Sequence, residues 1–158
     1  MLPASGNRLF WATALLGAVA DRIAKYWVTR HFEVLGQTVP LWPGVFHFTY
    51  AVNPGAAFSL FDETGGWLRW LSLAVSLGLA GWAWFGPRFK RLEQLGYGAI
   101  LAGAIGNGID RFAFGYVIDF LDVRLIGFPI FNLADVGINL GIVSLLASAL
   151  WERSPRHR

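Results

Sequence analysis

Four stretches of this chain, residues 9–28, 67–85, 95–114 and 131–151, are each almost wholly apolar over about 20 residues. A helix rises about 1.5 Å per residue, so each stretch matches the roughly 30 Å hydrocarbon layer of a bilayer. Together they occupy about half of the 158 residues and leave no room for a separate soluble domain. The expected fold is therefore an all-α membrane protein, a four-transmembrane-helix bundle forming one integral domain over residues 1–158. Residues 29–66 and 115–130 are expected to form a small outward-facing β-sheet and loop segment at the membrane surface. Composition agrees, with 55% apolar residues, 15% charged residues and a mean hydropathy of +0.48. Asp21, Arg22 and Lys25 stand where a signal peptide would carry its small-residue cleavage site, so the first stretch reads as a retained helix.

A net charge of +3 raises the question of nucleic acid, but the basic residues do not gather on one soluble face. They alternate along the chain instead: Arg8, then Arg88, Lys90 and Arg91, then Arg153, Arg156 and Arg158. Lysine and arginine favour the cytoplasmic side, which places both termini and the middle loop there. Trp67 and Trp70 then lie at the outer interface, and Trp82 and Trp84 at the inner one. With no cysteine, the chain has neither disulfides nor thiolate metal sites.

This orientation fixes the depth of the polar residues within the apolar stretches. Asp21 and Arg22 come late in the first, Arg69 early in the second, Asn107, Asp110 and Arg111 late in the third, and Asn132 and Asp135 early in the fourth. All fall near one level, close to the outer surface. Ionisable groups in a bilayer are costly and mark a site by default. The long side chains of Arg22, Lys25 and Arg69 are expected to snorkel toward water, and Asp110 to pair with Arg111 or Arg111 with Asp21. An aspartate is too short to snorkel.

In the outer segments, Val45 to Tyr50 is a β-branched and aromatic run between Pro43-Gly44 and Asn53-Pro54-Gly55, which predicts a strand. Leu121, Val123 and Leu125 alternate with Phe120, Asp122 and Arg124 in a strand-like period, and the two segments are expected to pair. Asn53 to Ser59 offers an amide and small residues in a turn. Gly103 to Arg111 is small on its early turns, permitting close helix packing, and polar at its outer end. Asp119 and Asp135 each sit in apolar surroundings, the setting of an acid/base pair.

The blocks Asp21 with Lys25, Asn53 to Ser59, Gly103 to Arg111, Val117 to Asp122 and Phe131 to Asp135 resemble, in order and spacing, those of lipoprotein signal peptidase, or signal peptidase II. Two positions depart from the family pattern. Gly108 stands where a bulkier apolar residue is more common, and Val136-Gly137 where small polar residues are. The resemblance implies an aspartyl endopeptidase that cuts diacylglyceryl-modified prolipoproteins just before the lipidated cysteine. Asp119 and Asp135 are then its catalytic dyad, with Asp21, Asn53, Gly55, Asn107, Asp110, Arg111 and Asn132 lining or supporting the pocket. It further implies the bacterial cytoplasmic (inner) membrane, an active site near its periplasmic or outer face, contact with membrane lipid, and inhibition by globomycin-type cyclic peptides. No metal or other cofactor, no nucleic acid and a monomer are expected.

Three other chemistries compete. A serine peptidase would use Ser59 with Lys25. A small proton-coupled carrier or channel subunit would relay protons through the aspartates, although Leu71 to Phe85 and Gly141 to Trp151 offer it almost no polar groups. A metallopeptidase has little support, since His31, His47 and His157 are scattered and no HExxH motif occurs. The serine mechanism is tested by Ser59→Ala, which is expected to leave precursor cleavage at the wild-type rate.

Overall fold

The computed structural model describes residues 6–55 and 66–153. It has four helices, α1 (Arg8–His31), α2 (Trp67–Phe85), α3 (Arg91–Ala113) and α4 (Leu133–Arg153). Strands β1 (Thr38–Trp42), β2 (Phe46–Asn53) and β3 (Val117–Val123) form one antiparallel sheet in the order β1-β2-β3. The fold is thus mostly helical with a small sheet, as expected. Ala56 to Ser59, Arg156 and Arg158 lie outside the described residues.

The strand expected from Val45 to Tyr50 is β2, which runs on to Asn53, and its pairing with the second outer segment occurs as anticipated. The register sets Ala51 opposite Asp119 and Asn53 opposite Val117. Strand β1 was not anticipated. It contains Pro40 and every one of its residues is exposed, so it shows no buried/exposed alternation to read. The alternation expected at 120–125 holds only over 120–123, with Phe120 and Asp122 buried and Leu121 and Val123 half-buried, before the chain turns into a 3₁₀ helix at Arg124–Ile126. His47 lies inside β2 and is buried.

Two of the four helices, at Trp67–Phe85 and Leu133–Trp151, are long and apolar enough to cross a membrane by composition alone. The four expected from sequence reduce to these two because α1 carries Asp21, Arg22 and Lys25, and α3 carries five glycines beside Asn107, Asp110 and Arg111. The outward faces tell more than the averages. Leu15, Leu16 and Ile23 on α1, Leu77 on α2, Phe112 on α3, and Leu140, Val143 and Leu146 on α4 are all exposed. So much uncovered apolar surface is foreign to a water-soluble monomer.

Helix α3 packs against each of the other three. Its small residues make this possible: a Cβ on Gly103 would collide with the Ala134 carbonyl oxygen and sit 2.5 Å from Ile138 Cγ1. One apolar core, with Phe10, Ala14, Ala83, Phe89 and Leu101, fills the end of the bundle where α1 and α3 begin. A second, with Val28, Phe32, Ile118 and Phe120, seats the sheet on the far end of α1. The Ala134 carbonyl belongs to the backbone and cannot rotate away. Gly103→Leu is therefore expected to destabilise the fold by about 3 kcal/mol, read as a lowered unfolding temperature in detergent.

Candidate active site

Helix α4 begins with a reciprocal cap. The Asn132 side-chain oxygen accepts the Asp135 N–H at 3.0 Å, and the Asp135 carboxylate accepts the Asn132 N–H at 3.2 Å. A short aspartate at the third helical position is thereby held by the helix it starts. On β3, Asp119 is buried, and its Oδ1 accepts a 2.7 Å bond from Asn132 Nδ2. Asn132 thus touches both carboxylates, one through its amide nitrogen and one through its backbone.

Asn107 on α3 closes the same loop. Its Nδ2 donates to Asp135 Oδ1 at 2.8 Å, and its oxygen accepts from Asn132 Nδ2 at 3.0 Å and from Lys25 Nζ at 2.9 Å. Lys25 and Asp110 are completely buried, so the expected snorkelling of Lys25 does not occur. Its ammonium spends its three hydrogens on Asp21 at 2.9 Å, Asp110 at 2.8 Å and Asn107. Arg22 pairs with the other oxygen of Asp110, so the expected Asp110–Arg111 pair is replaced by Asp110 between Arg22 and Lys25. Arg22, partly exposed, balances the charge of the buried Asp21, Lys25 and Asp110, which is what makes their burial tolerable.

The acids of this cluster also reach the backbone beside each central aspartate. Asp110 Oδ2 accepts the Ile118 N–H at 3.2 Å, one residue before Asp119. Asp21 Oδ1 accepts the Ala134 N–H at 3.0 Å, one residue before Asp135. Gly106 makes room for Asp21, since a Cβ there would lie 2.5 Å from the carboxylate.

Asp135 borders a cavity of about 940 Å³, together with Asn53, Gly55 and Arg111 and with the apolar Leu68, Phe128, Phe131 and Leu140. Asn53 ends β2 and folds its oxygen back onto the Gly55 N–H at 2.9 Å, an Asx turn that aims the segment at the cavity. Arg111, near the end of α3, lines it too. Among the described residues it has no carboxylate within ion-pair range; its Nη1 donates to Ser72 Oγ at 3.3 Å and its buried Nε has no hydrogen-bond partner. Ser72 and Gly108 in turn border a separate, almost wholly apolar groove of about 510 Å³ between α2 and α3. Arg69 donates its Nε to the Gly66 carbonyl at 2.9 Å in an exposed setting.

Asp119 is pushed up to about 6, first by burial and then by the nearby charge of Asp135, while hydrogen bonds from Asn132 and Asn53 pull the other way. Every residue expected at the site is thus in the cavity wall or in the network behind it. Sequence reasoning missed Lys25 as a buried node, Ser72 as the partner of Arg111, and the apolar wall from Phe128 to Phe131. Spacing held a clue for the first: Asp21 and Lys25 are four apart, on one face of a helix. Among the described residues there is no cluster of histidine, cysteine and carboxylate side chains fit to hold a metal.

Comparison with known proteins places these features in a family. Residues 13–151 match the family model described as signal peptidase (SPase) II. A lipoprotein signal peptidase of Microcystis aeruginosa is 61% identical over 94% of this chain and 96% of its own length. One from a Cyanothece species is also 61% identical, over 96% of this chain and 88% of its own. Among solved structures, one described as a bacterial membrane enzyme superposes with a TM-score of 0.81 at 25% identity, covering 93% of this chain and 90% of the other. The chain belongs to the signal peptidase II family.

Proposed function

We propose that Asp119 and Asp135 are the catalytic dyad with which this signal peptidase removes signal peptides from prolipoproteins, cutting just before a diacylglyceryl-modified cysteine. The observation that carries the reading is the shared clamp. Asn132 and Asn107 tie the two carboxylates into one hydrogen-bonded loop at the edge of a cavity large enough for a peptide segment. Two close carboxylates share a proton because both cannot readily ionise together. The ionised member takes a proton from a water between them, and the protonated member donates to the scissile carbonyl oxygen as it becomes tetrahedral. The two titrate as a pair, so acid and base are roles of the pair rather than of either residue.

Arg111 lines the cavity and makes no ion pair among the described residues, which suits it to hold a substrate carbonyl, with Asn53 facing the extended peptide. In this reading all four helices span the bacterial cytoplasmic membrane as one integral domain, with both termini in the cytoplasm. The exposed apolar residues on every helix support it. The aspartates then lie near the periplasmic face, where a signal peptide can enter sideways while its acyl chains stay in lipid. The enzyme acts as a monomer, and globomycin-type cyclic peptides occupy the cavity as uncleaved mimics.

The decisive assay is cleavage of a diacylglyceryl-modified precursor by purified protein in detergent with chelator present. Wild type is expected to cut, and Asp119→Asn and Asp135→Asn, both folded, to lose at least about 1,000-fold in kcat/KM. Near-normal rates in either variant would remove the dyad; proton flux in liposomes without cleavage would favour a proton-coupled carrier. A pH profile supplies a second check. Because Asp119 is raised to about 6, the shared proton is held below that pH and lost above it. The value of kcat/KM is accordingly expected to fall as pH rises through this range, and a flat profile up to pH 9 would contradict it.

A further inference from the structure

At the opposite end of the bundle, α1 and α3 start side by side, and the segment joining α2 to α3 crosses between them. Two buried amides fix this junction. Asn7 donates to the Ala83 carbonyl at 3.0 Å and the Pro87 carbonyl at 3.3 Å, and accepts the Phe89 N–H at 2.9 Å. Gln94 donates to the Phe89 carbonyl at 2.9 Å and the Gly6 carbonyl at 3.3 Å, and its oxygen takes the Leu9 and Phe10 N–H groups at the start of α1. All the polar atoms of both side chains are spent on holding the connection still.

What they hold still is a pocket of about 500 Å³ whose polar rim consists of Arg8, Arg88 and Arg91 above Gln94. Among the described residues no carboxylate lines it. None of the three guanidinium groups has a hydrogen-bond or ion-pair partner among the described residues. Glu93, in the first turn of α3, caps its own helix at the Lys90 N–H, 2.8 Å off. The Arg88 stem lies against Gly6, where an added Cβ would come within 3.0 Å, so this side chain is seated rather than free. Arg8 and Arg91 are the first residues of α1 and α3, and both helix dipoles add positive potential at the same place.

We propose that this pocket binds the phosphate headgroup of an anionic phospholipid in the leaflet opposite the aspartates. Charge alone would equally suit a soluble phosphate; the neighbouring residues favour the lipid. Just inside the arginines lies an aromatic layer: Trp82 meets Phe89 at 5.0 Å and Tyr97 at 5.1 Å, and Trp11 meets Trp84 at 6.1 Å. Beyond it the helix surfaces are apolar, with Leu77 and Leu146 exposed. Cationic rim, aromatic layer and apolar flank follow one another in the order of headgroup, interface and acyl chain. A merely cytoplasmic-facing basic loop needs no such frame of buried amides. The inference rests on the membrane placement above and is independent of the dyad, because about 28 Å of α3 separates Arg91 from Asp110.

Native mass spectrometry of the full chain, released from neutral detergent after equilibration with phosphatidylglycerol, phosphatidylcholine or inorganic phosphate, tests it without reference to cleavage. Wild type is expected to retain one phosphatidylglycerol at a concentration at least about tenfold below that needed for phosphatidylcholine, with inorganic phosphate failing to displace it. Arg88→Gln and Arg91→Gln, which keep much of the aliphatic stem, are each expected to weaken retention about fivefold. The control Arg69→Gln, at the other end of the bundle, should leave it unchanged, and all three should cut precursor in neutral detergent at the wild-type rate. Equal retention of both lipids would overturn the proposal, as would equal weakening by Arg69→Gln or by neither pocket variant. Displacement by inorganic phosphate at comparable concentration would assign the pocket to a soluble anion and overturn it too.

Discussion

Burying the Lys25 ammonium is the constraint on which the rest of the site depends. An isolated ammonium in an apolar bundle would cost several kcal/mol, so its three hydrogens must all be satisfied from within. Asp21, Asp110 and Asn107 do this from two helices, and Arg22 completes the charge balance. Each acid has a second task. Asp21 holds the start of α4 through the Ala134 N–H, and Asp110 holds β3 through the Ile118 N–H. The charge cluster therefore fixes the positions of Asp119 and Asp135 without touching either side chain. Charge burial, which is expensive for stability, is here converted into positional precision for the two carboxylates.

The sequence carried much of this arrangement. Four apolar runs, ordered motif blocks and a common depth for the polar residues were enough to bring the eventual site residues together. Two kinds of information were missing. Lys25 read as a snorkelling side chain because a lone lysine near a helix end usually reaches water. Only the glycines of α3, which let α1 approach closely, seal it inside. Strand β1 was invisible because both of its faces are exposed, so no period-two burial pattern marks it. The pairing of Arg111 was equally beyond the sequence: Ser72 lies 39 positions away, and nothing local favours it over the adjacent Asp110.

Average hydropathy proved a coarser guide than the direction in which side chains point. Helices α1 and α3 fall below the composition of a membrane span because they hold the polar machinery, yet their outward residues are as apolar as those of α2 and α4. Membrane enzymes face this conflict generally. The helices that build a polar site are the ones whose mean hydropathy is lowered by the residues they carry. The exposed leucines of α1 and the buried lysine on its inner face are two halves of one amphipathic design, turned inside out relative to a soluble helix.

The spacing of Asp21 and Lys25 also bears on how such a protein is made. Helix α1 leaves the ribosome well before α3 and α4, and in that interval Lys25 has no Asp110 or Asn107 to bond. Its i,i+4 neighbour Asp21 is already present on the same turn face, 2.9 Å away in the finished fold. A newborn α1 can thus fold with that pair neutralised from within, and exchange a solitary ion pair for the full cluster when α3 arrives. The order of synthesis and the order of charge compensation then run in step, with the site completed last, when α4 brings Asn132 and Asp135 to it.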